Sequence, residues 1–437
     1  MASTYLTRTP SSTGSQTKFT FSCWLKKCSI GVKGALYSCG NATNANYYTD
    51  ARFSTEDKLT LNWYDDNGNH TITTNQLFRD SSAFYNIVIA WDTTQATASN
   101  RVKIYVNGTQ ITSFSNADYV NQNQAMLFNT VSKPIDIGRR VNNTDYLNGI
   151  LSHVHGIDGT AYDASAFGST DSTTGEWKIN TSPSVTYGTN GFFILKDGNS
   201  VTDQSGNSNN FTVSAGTLTK TEDNPSNNFA TLNPLFHKSE KITFSNGNNT
   251  ASEPSGNSTS WTTRWGISSI GFSSGKFYAE AKISDYGSGQ LYPIGIVRDE
   301  NIPNIDSSIG SNGWGYYTLA SGGGTIIGSE DGTNLQTSLG ASTTGDIIGL
   351  AVDADNNTLQ FYKNGSTLGS QVTGITAGTY FIGCNAYANF GIQMNFGNGY
   401  FGTTAVSSAG TNASGIGIFE YDVPNGFTAL STKGLNE

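Results

Sequence analysis

A two-residue alternation of apolar and polar side chains, recurring along most of the chain, constrains the fold more than any other feature. From Lys18 the sequence reads KFTFSCWLK, in which Phe19, Phe21, Cys23 and Leu25 alternate with Thr20, Ser22, Trp24 and Lys26. Successive side chains on a strand point to opposite faces, so this run predicts a half-buried β-strand. The same period returns in LTLNW from Leu59, RVKIYVNG from Arg101, KFYAEAKI from Lys276 and GIQMNFGNG from Gly391. Gly- and Asn-rich turns separate the runs at the spacing of sandwiches and barrels, not of βαβ units. Composition agrees, since 50 glycines with 12% aromatic and only 13% charged residues suit short strands and tight turns. Helical possibilities, such as residues 163–167, are single turns. No stretch of about 18 apolar residues is present to cross a membrane.

At 437 residues the chain exceeds one ordinary core, and two domains are expected. A weak internal repeat supports two. IVIAWDTTQATASNRVKIYVNG spans residues 87–108 and IIGLAVDADNNTLQFYKNG spans residues 347–365. Each is an apolar strand ending in Asp, a polar turn, an amphipathic strand, then aromatic-x-Asn-Gly. The Asn-Gly pairs at Asn107 and Asn364 suit a type I′ turn, whose two central residues need positive φ. Residues 219–240 break the alternation and hold Pro225 and Pro234, which marks a linker. The predicted class is therefore all-β, with two tandem antiparallel β-sandwiches: residues 1–218, a linker at 219–240, residues 241–402, and a C-terminal docking segment at 403–437.

The formal net charge of −9 and pI near 5 argue against a nucleic-acid partner, which needs clustered Lys and Arg. The polar N-terminus, residues 1–10, lacks the pattern of a secretory leader. Cys23, Cys28 and Cys39 crowd the first half and Cys384 stands alone, so neither a disulfide framework nor a CxxC metal site is indicated, and buried reduced thiols are expected. Glycosidases need two opposed carboxylates. The nearest acidic neighbours, Glu56 with Asp57 and Glu222 with Asp223, are adjacent and would point to opposite strand faces. No GxSxG nucleophile context or phosphate-cradling glycine loop occurs. SEDGT at residues 329–333 reads as a hairpin turn. DADNNT from Asp353 opens like a calcium loop, but Thr358 and Asn364 stand where an EF-hand needs Gly and Glu. His153 and His155 flank Val154 and would share a strand face, where they pack as structural residues or, at a three-fold axis, hold a metal. No cofactor, metal or catalytic residue is predicted.

Aromatic residues remain as binding candidates. Sugar rings stack their apolar faces on Trp or Tyr while Asn and Asp satisfy hydroxyls. Tyr47 and Tyr48 in NATNANYYTD are the best local example. Trp265 and Tyr317 are further candidates, although these two and Trp314 also read as strand ends buried in a core.

These residues resemble known families. YLTRTPSSTGSQTKFTFSCWLK, WDTT, RVKIYVNG and YLNGILSHVHGIDGTAYDASAFG look like the laminin-G or concanavalin A-like module of phage tail and other virion proteins, a jelly-roll lectin-like sandwich. GTNGFFILKDGNSVTDQSGNSNNFT and DNPSNNFATLNPL are similar to the segment that closes it. SSGKFYAEAKI, TTGDIIGLAVDADNNTLQFYKNG and QMNFGNGYF resemble a SPRY domain, a distorted sandwich used in recognition, and VPNGFTALSTKGL recurs in such phage proteins. The resemblance implies a non-enzymatic virion-surface protein: a tail-fibre or receptor-binding subunit reading host-surface glycan or polysaccharide, or a structural capsid decoration or fibre protein. A polysaccharide depolymerase would need the missing carboxylate pair. Implied partners are other virion proteins and the host glycan, with no nucleic acid and no membrane insertion. A homo-oligomer, a trimer by analogy with phage appendages, would raise avidity. Residues 4–10 could add a strand to a neighbour and the aromatic-rich residues 416–435 could dock on one, or both ends could fold back onto their own sandwiches.

Overall fold

The computed structural model describes residues 3–40, 48–65, 68–196, 198, 200–236, 240–253, 260–287, 290–305, 307–319 and 322–437. The chain divides into two compact units, Met1–Lys220 and Thr221–Glu437, each an all-β sandwich with its own core.

In the first unit one sheet carries, in spatial order, strands Phe114–Ala117, Gly68–Leu77, Lys58–Asp65, Tyr48–Phe53, Gly34–Gly40, Ile135–Ile137, Tyr5–Arg8 and Thr212–Ala215. The facing sheet carries Phe192–Ile194, Gly149–Asp158, Lys18–Lys27, Tyr85–Asp92, Val102–Val106 and Thr109–Ile111, all antiparallel. The alternation at Lys18 works as predicted on one face: Phe19, Phe21, Cys23 and Leu25 enter the core with Leu61, Trp63 and Trp91. Each large side chain so buried contributes about 1.5–3 kcal/mol. The other face differs from the half-buried expectation, because Thr20, Ser22, Trp24 and Lys26 are buried too. A satellite cluster covers this side of the sheet, with Ala164, Phe167, Trp177 and Tyr187 packed among Val88, Tyr105 and Ile157. It begins with a single 3₁₀ turn, Ala164–Ala166, capped by Asp163, whose carboxylate accepts from Ser165 N at 2.9 Å.

The second unit repeats the plan. One sheet orders Thr243–Ser245, Thr250–Glu253, Phe390–Asn395, Lys276–Asp285, Ile347–Asp353, Thr358–Lys363 and Ser366–Thr373. The other orders Trp265–Ile267, Tyr380–Ala386, Gln290–Arg298, Gly313–Leu319, Gly324–Gly328 and Thr333–Gln336. One departure from the antiparallel expectation is Thr428–Ala429, which pairs parallel with Phe277 and Tyr278.

The linker expectation is corrected, and the alternatives left open for the two ends of the chain are decided. Residues 221–240, read as linker, belong to the second unit: Ala230 and Leu232 lie in its main core, and Phe229 is buried beside Phe419. Proline broke the alternation there, yet neighbouring apolar residues still reach the core. Tyr5–Arg8 is no free arm, since it pairs on both sides within its own sheet. Phe419, Val423, Ala429 and Leu430 are buried in the second unit, so the C-terminal segment folds onto its own sandwich.

The two Asn-Gly turns are equivalent, as the repeat predicted. Asn107 and Gly108 have φ of 46° and 81°, and Asn364 and Gly365 have 48° and 79°, the pattern of type I′. In each the Asn side-chain oxygen accepts a backbone amide from the start of the strand paired with the one that leads into the turn, Asn86 N at 2.8 Å and Ile347 N at 2.9 Å.

Candidate functional site

Trp261 stands at the centre of an aromatic group on the second unit, in which Trp261, Tyr317 and Tyr387 are partly exposed and Tyr292 is buried. Its ring lies 5.4 Å from Tyr292, 5.4 Å from Tyr387 and 6.3 Å from Tyr317, and Tyr292 lies 5.2 Å from Tyr317. Tyr292 and Tyr317 sit on neighbouring antiparallel strands, and Tyr387 follows the strand Tyr380–Ala386. The turn that presents Trp261 is fixed from below. Asn385 Nδ2 donates to the carbonyls of Trp261 and Arg264, both at 2.9 Å. The guanidinium of Arg264, fully buried, is paired with Glu253 through two nitrogens and donates to Ser260 O at 2.8 Å. Burial pushes the Tyr292 hydroxyl up to about 12, with desolvation the main cause, and raises Tyr317 for the same reason. Tyr292 and Tyr317 therefore keep their protons at neutral pH, and the partly exposed rings are suited to stacking and hydrogen bonding.

Of the aromatic residues singled out from sequence, Tyr317 belongs to this group. Trp265 does not: it is fully buried, its indole donating to Ser307 O at 3.1 Å, and it forms part of the packing behind Tyr292. Tyr48 is buried as well, because the Arg140 guanidinium covers its ring at 4.1 Å and its hydroxyl donates to Asn69 at 2.9 Å. Arg140 is itself held by the fully buried Asp50 at 2.8 Å. Tyr47 lies outside the described residues. Trp261 and Tyr387 were missed, although WTTRW already placed two tryptophans four residues apart.

The other motifs resolve into structure. His155 is buried, stacks on Phe193 at 4.0 Å and meets the Tyr187 hydroxyl at 3.0 Å; burial holds its pKa well below the usual histidine range. The strand bulges between Ser152 and His155, and His153 has φ of 49°. Among the described residues no group of three His, Cys, Asp or Glu is placed to hold a metal. Asp353 accepts Asn356 N at 3.0 Å and pairs with Lys276 at 2.8 Å, forming a hairpin turn. Glu330, within SEDGT, forms a two-pronged pair with Arg298 at 2.7 and 2.9 Å. Asp57 is buried between Lys27 and Arg79, whereas Glu56 is exposed and pairs with Lys58. All four cysteines are buried and none forms a disulfide, and burial pushes the Cys384 thiol up to about 12.

Comparison with known proteins adds two matches. Residues 2–159 match the family model of the concanavalin A-like lectin/glucanases superfamily, and residues 276–399 match that of the SPRY domain. No curated protein sequence matches the chain. Similar solved structures include the TRIM65 PSpry domain, at 16% identity over 38% of this chain and 91% of that one, with a TM-score of 0.31. The SPRY domain of human HERC1 is 19% identical over 36% of this chain and 94% of that one, with a TM-score of 0.30. A native heptameric SAP-like pentraxin from Limulus polyphemus is 15% identical over 36% and 71%, with a TM-score of 0.27. The chain thus combines a concanavalin A-like module with a SPRY module.

Proposed function

We propose that the chain is a non-enzymatic binding protein of a bacteriophage particle surface, a tail-fibre or receptor-binding subunit that reads host-surface glycan. The observation that carries this reading is the Trp261 group, whose partly exposed rings offer stacking faces beside neutral hydroxyls. The sequence resemblance to virion modules supports the location. Each glycan contact of this kind is weak, so the functional form is a homo-oligomer, a trimer, held on the particle with other virion proteins. The test is retention of purified protein on immobilised host polysaccharide. Trp261→Ala with Tyr317→Ala should weaken retention about tenfold, equivalent to losing about 1.4 kcal/mol. Unchanged retention defeats the assignment of the site. Release of reducing sugar that one Asp or Glu substitution abolishes defeats the non-enzymatic reading.

A structural role, capsid decoration or fibre segment, is favoured by one feature. Strand Thr212–Ala215 ends the eight-stranded sheet of the first unit with Val213 exposed, and an edge of this kind can accept a strand from a neighbour. Particle assembly that fails on Val213→Lys while glycan retention persists would favour that role.

A further inference from the structure

Each unit contains the same corner. Lys18 faces Asp92 and Lys276 faces Asp353 in register, with ammonium–carboxylate distances of 3.4 and 2.8 Å. The residue after each Asp donates its amide to the carbonyl of the residue before each Lys, Thr93 to Thr17 at 2.9 Å and Ala354 to Gly275 at 3.0 Å. Beyond this point the units part. In the first, a following segment closes the corner: Asn123 N donates to Thr93 O at 2.8 Å, and Thr93 Oγ1 donates to Gln124 O at 2.9 Å. In the second, the corner opens into a cleft of about 560 Å³ whose other wall comes from Ala413, Ser414, residues 425–428, and Gly434, Leu435 and Glu437. That volume lies within the range of small-molecule sites, roughly 300–1,000 Å³.

The lining selects a ligand class. Lys276 is committed to Asp353, which cancels the cation on this wall. Asp355 is exposed and spends one carboxylate oxygen on Gly275 N at 2.8 Å. Ser274 and Asn425 add a hydroxyl and an amide from exposed positions, and the half-buried Phe427 supplies an aromatic surface. A phosphate, sulfate or acidic sugar would meet the carboxylates of Asp355 and Glu437, both exposed at the cleft, without a spare cation to offset the repulsion. A wholly apolar ligand would strip water from the carboxylate and amide without replacing their hydrogen bonds. A neutral ring bearing hydroxyls satisfies both kinds of surface.

We propose that this cleft is a second saccharide site, taking a short neutral glycan, separate from the Trp261 group. It rests on the glycan reading above. The residues of this wall, from Ala413 to Glu437, lie outside the stretch 276–399 that matches the SPRY domain model.

The experiment is calorimetric titration of the full chain with methyl glycosides of glucose, galactose, mannose and N-acetylglucosamine, run beside retention on host polysaccharide. Ala413 is exposed at the cleft, so Ala413→Trp places an indole across it, and Asn425→Ala removes one amide without touching the core. We expect at least one glycoside to bind with affinity lowered about tenfold or more by Ala413→Trp and several-fold by Asn425→Ala. Trp261→Ala should leave it unchanged. If Ala413→Trp alters the melting profile, Asn425→Ala decides. Glycoside binding that survives both cleft variants overturns the cleft and leaves the glycan reading standing. So does the absence of glycoside binding in a chain still retained on polysaccharide. Loss of both glycoside binding and retention in the unaltered protein overturns the two together.

Discussion

The two units cover the outer face of the same strand pair with different chemistry. In the first, Thr20 lies opposite Ala90, and in the second Tyr278 lies opposite Ala351, at matching distances from the Lys–Asp corner. A later segment crosses each face. The first is anchored by neutral groups: Thr20 Oγ1 donates to Thr160 O at 2.8 Å and accepts Tyr162 N at 2.8 Å, and the Trp177 indole donates to Asn86 at 3.0 Å. The second is anchored by a carboxylate. Glu280, fully buried, accepts the amides of Glu420 and Tyr421, both at 2.9 Å, with Tyr278 and Asn395 around it. Burial raises the Glu280 carboxyl to about 7, against the pull of those amides. One topological problem, a central strand whose outer face must also be covered, is thus solved once without charge and once with a buried acid whose desolvation must be offset.

The strongest way to break the comparison is to remove the two anchors. Glu280→Ala leaves two buried amides without an acceptor and should cost the second unit roughly 4 kcal/mol, whereas Thr20→Ala should cost the first about 1–2 kcal/mol. Urea unfolding of the full chain, with the untouched unit as internal reference, measures both; equal losses would end the distinction. Acidity separates the units next. The Glu280 carboxyl is held near 7 in the fold and lies near 4.5 when unfolded, so the folded form keeps its proton between those values. The contribution of this group is therefore full below pH 4.5 and is lost as pH rises to about 7. A fall of up to about 3 kcal/mol across that window is expected in the second unit and should vanish in Glu280→Gln. A third comparison concerns Trp177, which is only half-buried: Trp177→Ala should cost the first unit about 2 kcal/mol, below the 3–5 typical of a fully enclosed ring.

The smallest effect tests the likeness itself. A Cβ at Gly108 would meet the Trp177 ring at 2.5 Å, and one at Gly365 would meet Tyr421 at 2.6 Å, both at positive φ. Alanine at either position should cost about 1–2 kcal/mol. In the background of Trp177→Ala, the Gly108 penalty should shrink toward backbone strain alone, as thermal melting of the double variant would show.

Strands and turns were readable in the sequence because their determinants are local. Alternation located Lys18–Lys27 and Lys276–Asp285, and Asn-Gly located both type I′ turns, since each signal sits within a few residues. What escaped reading depends on distant partners. Nothing near Tyr48 announces that Arg140 will cover its ring, so an Asn-rich surrounding suggested an exposed aromatic. Phe229, Ala230 and Leu232 are too few and too irregular for a period, yet each finds a buried place. Trp261 and Trp265 look alike in WTTRW, and only the cross-strand pairing of Trp265 with Asn385 sends one inward and leaves the other partly outside.

The central strand of the first unit, Lys18–Lys27, has a hydrogen-bonded neighbour on either side and packed residues on both faces. No local fluctuation frees it, because fraying an edge or lifting the covering segment still leaves its amides bonded. Hydrogen exchange from Phe21 to Leu25 therefore requires opening of the whole unit, and its rate reports the global free energy. Proteases that act on partly open chains meet the same barrier, which makes this strand the timer for how long the unit persists once it has left the environment in which it folded.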